Sequence, residues 1–182
     1  MTAQSPMEQG KYFDSCFWFA LFIKPQKERS TNELLQHKGY ETFLPTYREK
    51  RKWANGQGTR EKPAFPGYLF CRFNARLRMP ILTTPGVVNV LGCAGKPQPI
   101  DDQELLDIKR IAASPIGYNP CAYLDAGNRV RIVEGPLEGL KGILLDPKRG
   151  RRLVVSVSLM QRSVAVELDQ CSVEVIPAAK SV

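Results

Sequence analysis

Hydrophobic and polar positions in the first part of the chain predict a β-α-β start. The apolar run WFALFI at residues 18–23 is long enough for a buried strand and ends at Lys24-Pro25. Residues 26–38 are rich in helix-forming side chains, and Gly39 follows them where a helix commonly ends. Residues 40–45 then resume as a strand.

The strand predicted at residues 68–73 carries apolar side chains on both faces. Side chains alternate along a strand, so one face holds Leu69, Cys71 and Phe73 while the other holds Tyr68 and Phe70. Such a strand needs cover on both faces. Either helices of the same chain cover the second face, or its aromatic side chains are open to a partner.

A further strand at residues 87–91 precedes a second helix. Asp101 can cap this helix, Glu104 can complete a capping box, and Ile100 and Leu105 occupy the staple positions. Capping and the helix dipole account for the acidic side chains here, so we expect neither catalysis nor metal binding.

The pattern changes after this helix. Residues 114–120 (SPIGYNP) hold two prolines and one glycine, which is typical of a linker. Short strands are then predicted at 129–133, 142–145, 152–159, 163–168 and 172–176. Five short strands in so little chain favour a small closed barrel. We expect an α+β protein with a disordered tail at 1–13, a first domain at 14–113, a flexible linker at 114–124 and a barrel domain at 125–178.

Residues 46–62 are strongly basic, and the tip NGQG at 55–58 has the composition of a turn. We predict a hairpin or mobile loop whose cations, Lys50, Arg51 and Lys52, could meet nucleic acid. The net charge is +8, and residues 1–124 carry most of the excess, with 17 basic against 11 acidic side chains. This charge suggests a polyanion or an acidic partner, although a solvated cationic surface explains it equally well.

Composition argues against several classes of protein. The five cysteines are scattered, no CxxC spacing occurs and His37 is the only histidine, so we expect no metal site and a reducing, cytoplasmic setting. No phosphate-binding or nucleophile motif is present, and no apolar run is long enough to cross a membrane. We therefore expect neither an enzyme, nor a cofactor, nor a membrane protein.

An ordered set of segments resembles the NusG/RfaH family: WFALFIKPQKE, ETFLPTYREKRK, PAFPGYLFCRF, then TTPGVVNVLG with KPQPIDDQELLDI, and finally residues 127–176. The resemblance covers residues 17–177. It implies an NGN-type α/β sandwich with an antiparallel sheet, followed by a five-stranded KOW-type barrel. It also implies a monomeric elongation or antitermination factor that binds the clamp helices of bacterial RNA polymerase and performs no covalent chemistry.

The resemblance also implies three sets of contact residues. The aromatic surface that would bind the polymerase clamp comprises Phe22, Tyr68 and Phe70, flanked by Phe65. The basic positions that would face upstream or non-template DNA are Lys24, Lys27 and Arg29. The loop that would recruit the ribosome or the termination factor Rho comprises Leu159, Met160, Gln161 and Arg162.

Two features favour a specialised member of the family. The general factor would have Phe-Gly in place of Met160-Gln161, which puts recruitment of Rho in doubt. The stretch 100–111 and the element GPLEGLKG resemble the UpxY group of antiterminators, which act on particular operons. The alternatives are the general family factor and an RNA-binding or ribosome-associated protein with a KOW-type barrel, since aromatic and basic surfaces also suit RNA.

Overall fold

The structure is a computed structural model, and it describes residues 16–53, 56–124, 127–145, 152–168 and 173–176, with backbone only at 50–53 and 56–57. The chain forms two compact units. The first unit comprises Met1–Leu44 and Phe65–Asp101, and the second comprises Pro45–Ala64 and Asp102–Val182. The domain boundaries at 14–113 and 125–178 stay a prediction, and the expected tail at 1–13 lies outside the described residues.

Helices and strands alternate in the first part of the chain and give way to strands in the second. Up to residue 101 the elements are β1 (Phe17–Ile23), α1 (Glu28–His37), β2 (Glu41–Phe43), β3 (Thr46–Trp53), β4 (Gly56–Pro63), β5 (Tyr68–Phe73), α2 (Met79–Leu82), β6 (Val87–Val90), β7 (Gly92–Cys93) and β8 (Lys96–Pro97). The remaining elements are α3 (Asp102–Ala113), β9 (Tyr118–Cys121), β10 (Arg129–Ile132), β11 (Lys141–Leu145), β12 (Arg152–Val157), β13 (Arg162–Glu167) and β14 (Val173–Val175).

The first unit is built on a four-stranded antiparallel sheet in the order β2-β5-β1-β6. The register places Phe19 opposite Cys71 and Leu21 opposite Leu69, so one face of the sheet is continuously apolar. Leu35 of α1 is buried in the same cluster. The predicted β-α-β start and the predicted faces of β5 are therefore confirmed. Burying a side chain of this size stabilises the fold by about 1.5–3 kcal/mol.

Helix α1 ends where the sequence predicts. Gly39 adopts a left-handed backbone with φ of 84°, which a side chain with a Cβ disfavours. Its N–H donates to the carbonyl of Gln36, and the N–H of Tyr40 donates to the carbonyl of Leu35. These bonds satisfy two backbone carbonyls in the last turn of the helix, and the chain continues into β2.

The basic segment forms the predicted hairpin. Strands β3 and β4 pair over their whole length, from Thr46 opposite Pro63 to Trp53 opposite Gly56. Lys62 and Glu49 form an ion pair of 2.7 Å between the strands. The phenol of Tyr118 in β9 donates a hydrogen bond to the carbonyl of Thr46, which ties the base of the hairpin to the second unit's sheet.

That sheet has six strands in the order β14-β10-β11-β12-β13-β9, and all the pairings are antiparallel. The five strands predicted after residue 125 are present. The sixth, β9, corrects the expectation of a linker throughout 114–124, because Tyr118 is buried and lies opposite Val166 in the register. Pro120 is tolerated there because β9 is at the edge of the sheet.

None of the helices in the described ranges has both the length and the apolarity to cross a membrane.

Candidate functional site

Phe22 and Tyr68 form an aromatic pair at the surface of the first unit. The two residues face each other across β1 and β5, and their ring centroids lie 5.7 Å apart with the planes inclined by 55°. Phe22 is 41% exposed, and Tyr68 is half-buried. Since β1 buries Trp18, Phe19, Leu21 and Ile23, an exposed Phe22 is the kind of apolar surface that a partner covers.

Phe70 and Phe65 lie beneath the surface, which corrects the expectation that they belong to an exposed aromatic face. Phe70 is 1% exposed, and Phe65 is also buried. The ring of Phe43 in β2 stacks near that of Phe70 at 5.9 Å, and Phe65 meets it edge-on at the same distance. Side chains of the same unit thus cover this part of the face, and only its Phe22–Tyr68 end can touch a partner directly.

A cavity of about 390 Å³ opens beside the aromatic pair. Its walls combine two aromatic rings, two cationic side chains, one amide and several backbone segments. The lining residues are Phe22, Tyr68, Arg78, Asn89, Val90, Leu91, Gly92, Gly95, Lys96 and Pro97.

Sequence reasoning missed the cationic and amide members of this cavity. Asn89 lies opposite Phe22 in the pairing of β1 with β6, so knowledge of that register would have indicated it. Gly92 indicates the tight β7–β8 hairpin that carries Lys96, since a Cβ at Gly92 would come within 1.9 Å of the backbone carbonyl oxygen of Lys96. The chain between β7 and β8 can close this tightly only with glycine at position 92. No local pattern indicates Arg78, which joins a 3₁₀ turn to α2.

The buried carboxylate of Glu28 forms a hydrogen bond with the turn next to the aromatic pair. Glu28 in the first turn of α1 is buried, and its Oε1 accepts a hydrogen bond of 2.9 Å from the N–H of Gly67. The carbonyl of Gly67 in turn accepts the N–H of Ile23 at 2.8 Å. Gly67 has a φ of 81°, and a Cβ there would lie 3.5 Å from the ring of Phe22. From the sequence, Glu28 is indistinguishable from a solvated helix residue, so its role was not predicted.

The structure brings three predicted DNA-facing cations together around the start of α1. Lys24, Lys27 and Arg29 are all exposed, and the N–H of Lys27 donates to the carbonyl of Lys24 at 3.1 Å. The other predicted cations, Lys50, Arg51 and Lys52, belong to β3, but their side chains lie outside the described residues.

The predicted partner loop of the second unit is a 3₁₀ turn between β12 and β13. Arg162 is exposed and Leu159 is half-buried, but Met160 is buried, which corrects its expected place on the contact surface. Gln161 adopts a left-handed backbone with φ of 51° and ψ of 46°. β12 and β13 pair on either side of this turn, up to Val157 opposite Arg162.

Comparison with known proteins adds a family likeness to this geometry. The family model described as transcription termination factor nusG matches residues 17–109. The chain is 32% identical over 140 residues to the transcription termination/antitermination protein NusG of Pseudomonas aeruginosa, across 74% of this chain and 78% of that protein. It is 31% identical over 140 residues to the protein of the same description from Pasteurella multocida, across 74% of this chain and 76% of that one.

A solved structure described as "Domain interaction in Thermotoga maritima NusG" superposes with a TM-score of 0.55 at 19% identity, across 87% of this chain and 97% of that chain. At this identity the likeness concerns the fold alone. It confirms the predicted α+β fold, in which an NGN-type domain with an antiparallel sheet precedes a small KOW-type β domain.

Proposed function

Because this chain belongs to the NusG family of transcription termination and antitermination factors, we propose that it binds elongating bacterial RNA polymerase and suppresses pausing or termination. The first unit makes the principal contact, through Phe22 and Tyr68. The partner is the polymerase clamp, which the resemblance to the family implies.

The exposed Phe22 ring carries this proposal. A phenylalanine that is 41% exposed beside a cavity of about 390 Å³ offers both a protruding anchor and a recess for a partner's side chain. Interfaces concentrate their binding energy in a few such aromatic anchors. Phe70 and Phe65 are buried and stabilise the part of β5 that carries Tyr68, so they act as positioning residues.

Binding alone accounts for the activity, since the proposal involves no covalent step. A factor that binds the elongating state more tightly than the paused state shifts the population toward elongation. A preference of about 1.4 kcal/mol changes that ratio tenfold. We place the protein in the cytoplasm as a monomer, with Lys24, Lys27 and Arg29 lying along upstream or non-template DNA, where phosphate contacts add affinity without reading sequence.

We propose further that this is a specialised antiterminator acting on a particular set of operons. The general family pattern has Phe-Gly at positions 160 and 161. Gln161 here keeps a left-handed backbone, the conformation that glycine adopts most readily, and its exposed side chain carries an amide whose nitrogen donates to the carbonyl of Ser158. The shape of the turn is thus compatible with the family, but its surface chemistry differs. Leu159 and Arg162 remain available for a ribosomal partner, and Rho is the less suitable one.

Binding of the purified chain to a reconstituted transcription elongation complex tests the proposal. We expect Phe22→Ala and Tyr68→Ala each to weaken binding by about 30-fold, which corresponds to about 2 kcal/mol for an anchor residue. The control is Arg72→Gln, which alters an exposed ion pair with Glu41 four residues along β5 from Tyr68. It should bind like the wild type.

Two outcomes would contradict the proposal. One is wild-type protein that does not associate with the elongation complex. The other is binding that Phe22→Ala and Tyr68→Ala leave intact. If the wild type binds free RNA instead, and Phe22→Ala weakens that binding, the alternative of an RNA- or ribosome-binding protein would replace the proposal.

A further inference from the structure

We infer that the cavity beside Phe22 and Tyr68 is a carboxylate-binding site, in which Arg78 and Lys96 select an acidic side chain of the polymerase segment that docks there. The inference rests on the proposed function and deepens it, since it assigns a chemistry to the partner's contact. Arg78 and Lys96 then determine specificity, while Phe22 and Tyr68 supply the apolar part of the contact.

The charge of the cavity points to an anion. Its ten lining residues include two cations and no Asp or Glu. In the part of the chain that the structure describes, neither Arg78 nor Lys96 is paired with a carboxylate. A carboxylate is the side chain of opposite charge that such a lining would attract.

A backbone contact positions the Arg78 side chain, and Lys96 lies on an anchored hairpin. One guanidinium nitrogen of Arg78 donates to the carbonyl of Ala75 at 3.2 Å, which leaves further N–H donors of the same group for a ligand. Lys96 is on the short β7–β8 hairpin, which is anchored to β1 because the N–H of Leu91 donates to the carbonyl of Ala20 at 2.8 Å. Arg78 therefore loses less side-chain entropy on binding than a mobile surface cation would lose.

The surroundings of Arg78 favour a protein ligand over a phosphate backbone. Its neighbours in the chain, Leu77 and Met79, are 67% and 63% exposed. Exposed aliphatic side chains gain free energy when another apolar surface covers them, and a sugar-phosphate chain offers little such surface. Aromatic residues, Met and Arg are also the residue types enriched in protein interfaces. The ligand is therefore an acidic residue within an otherwise apolar polymerase segment.

The test measures binding of the full-length chain to the reconstituted elongation complex over a range of salt concentrations. We expect Arg78→Gln and Lys96→Gln each to weaken binding about tenfold, and the double variant to bind with a flatter dependence on salt. Arg78→Lys and Lys96→Arg keep the charges and should retain most of the affinity. Arg72→Gln is the matched control, because it removes an exposed cation outside the cavity.

The outcomes separate the inference from the proposed function. If the double variant binds as tightly as the wild type while Phe22→Ala does not, the carboxylate site is wrong and the polymerase contact stands. If the wild type does not bind the complex, both fail. A second measurement uses free single-stranded DNA as the probe. If Arg78→Gln and Lys96→Gln weaken binding to this DNA and not to the polymerase complex, the cavity accepts phosphate, and the inference of a protein ligand is overturned.

Discussion

Glu28 provides the sharpest test of how the aromatic pair is supported. Glu28 is buried in the first turn of α1, and its carboxylate accepts the N–H of Gly67, 39 residues away in sequence. Glu28→Ala removes the acceptor and leaves that N–H without its partner, whereas Glu28→Gln keeps an oxygen in the same position. The two variants therefore separate loss of the hydrogen bond from loss of the charge.

The expected magnitudes follow from burial. A hydrogen bond to a charged group contributes about 1.5–3 kcal/mol, and Gly67 is half-buried, so we expect Glu28→Ala to lower the free energy of unfolding of the first unit by about 2 kcal/mol. Glu28→Gln exchanges a charged acceptor for a neutral one and should cost less than about 1 kcal/mol. With a typical urea slope of about 2 kcal/mol per molar, the alanine variant unfolds at a urea concentration about 1 M lower.

Fluorescence of Trp18 reports the transition in the first unit, because Trp18 is buried in β1. The chain's other tryptophan belongs to the second unit, so the series is made in a Trp53→Phe background. An alanine variant with an unchanged urea midpoint would refute the role of Glu28. A glutamine variant as unstable as the alanine variant would show that the charge, and not the acceptor oxygen, supports the turn at Gly67.

Three further predictions concern buried side chains. Phe70→Ala should destabilise the first unit by about 3–5 kcal/mol in the same urea assay, as expected for a core aromatic; a cost below about 1 kcal/mol would contradict its burial. Burial raises the pKa of Tyr118 from 10.0 to about 12, and the carboxylate of Glu61 adds to this shift. The neutral phenol therefore stabilises the fold fully below pH 10. This stabilisation is lost as the pH rises from 10 to 12. The stability difference between wild type and Tyr118→Phe should therefore narrow over that interval, and a constant difference would argue against the shift. Burial also raises the pKa of the Cys71 thiol to about 12, so a thiol reagent at pH 8 should modify exposed Cys16 rapidly and Cys71 only after unfolding; rapid loss of the Cys71 thiol, followed by mass spectrometry, would contradict this.

The sequence predicts the sheet of the first unit well, because β1 is a continuous apolar run and the parity of β5 separates its two faces. Parity assigns Leu69, Cys71 and Phe73 to one face, and the register with β1 confirms this face. The turn composition at 55–58 also indicates the basic hairpin, although β4 already begins at Gly56, inside the predicted turn. In both cases neighbours along the chain determine the structure.

The remaining features depend on contacts between distant segments. Parity places Phe70 on the same face as Tyr68, but only the folded chain shows that Phe43 and Phe65 cover it. The proline-rich composition around Tyr118 indicates a linker, yet burial of that side chain at the edge of the second sheet makes a strand there. The roles of Glu28 and Arg78 also depend on distant segments. Glu28 accepts the N–H of Gly67, and Arg78 lines the cavity together with Lys96. No local sequence pattern indicates either arrangement.

The central claim is that the Phe22 end of the aromatic face touches RNA polymerase. The most direct measurement is photo-crosslinking from p-benzoylphenylalanine incorporated at position 22, an exposed site that already holds an aromatic ring. In a reconstituted elongation complex we expect a crosslink to one of the two largest polymerase subunits, and none from the same residue at position 72. Protein that binds the complex but crosslinks only from position 72, or from neither position, would contradict the account.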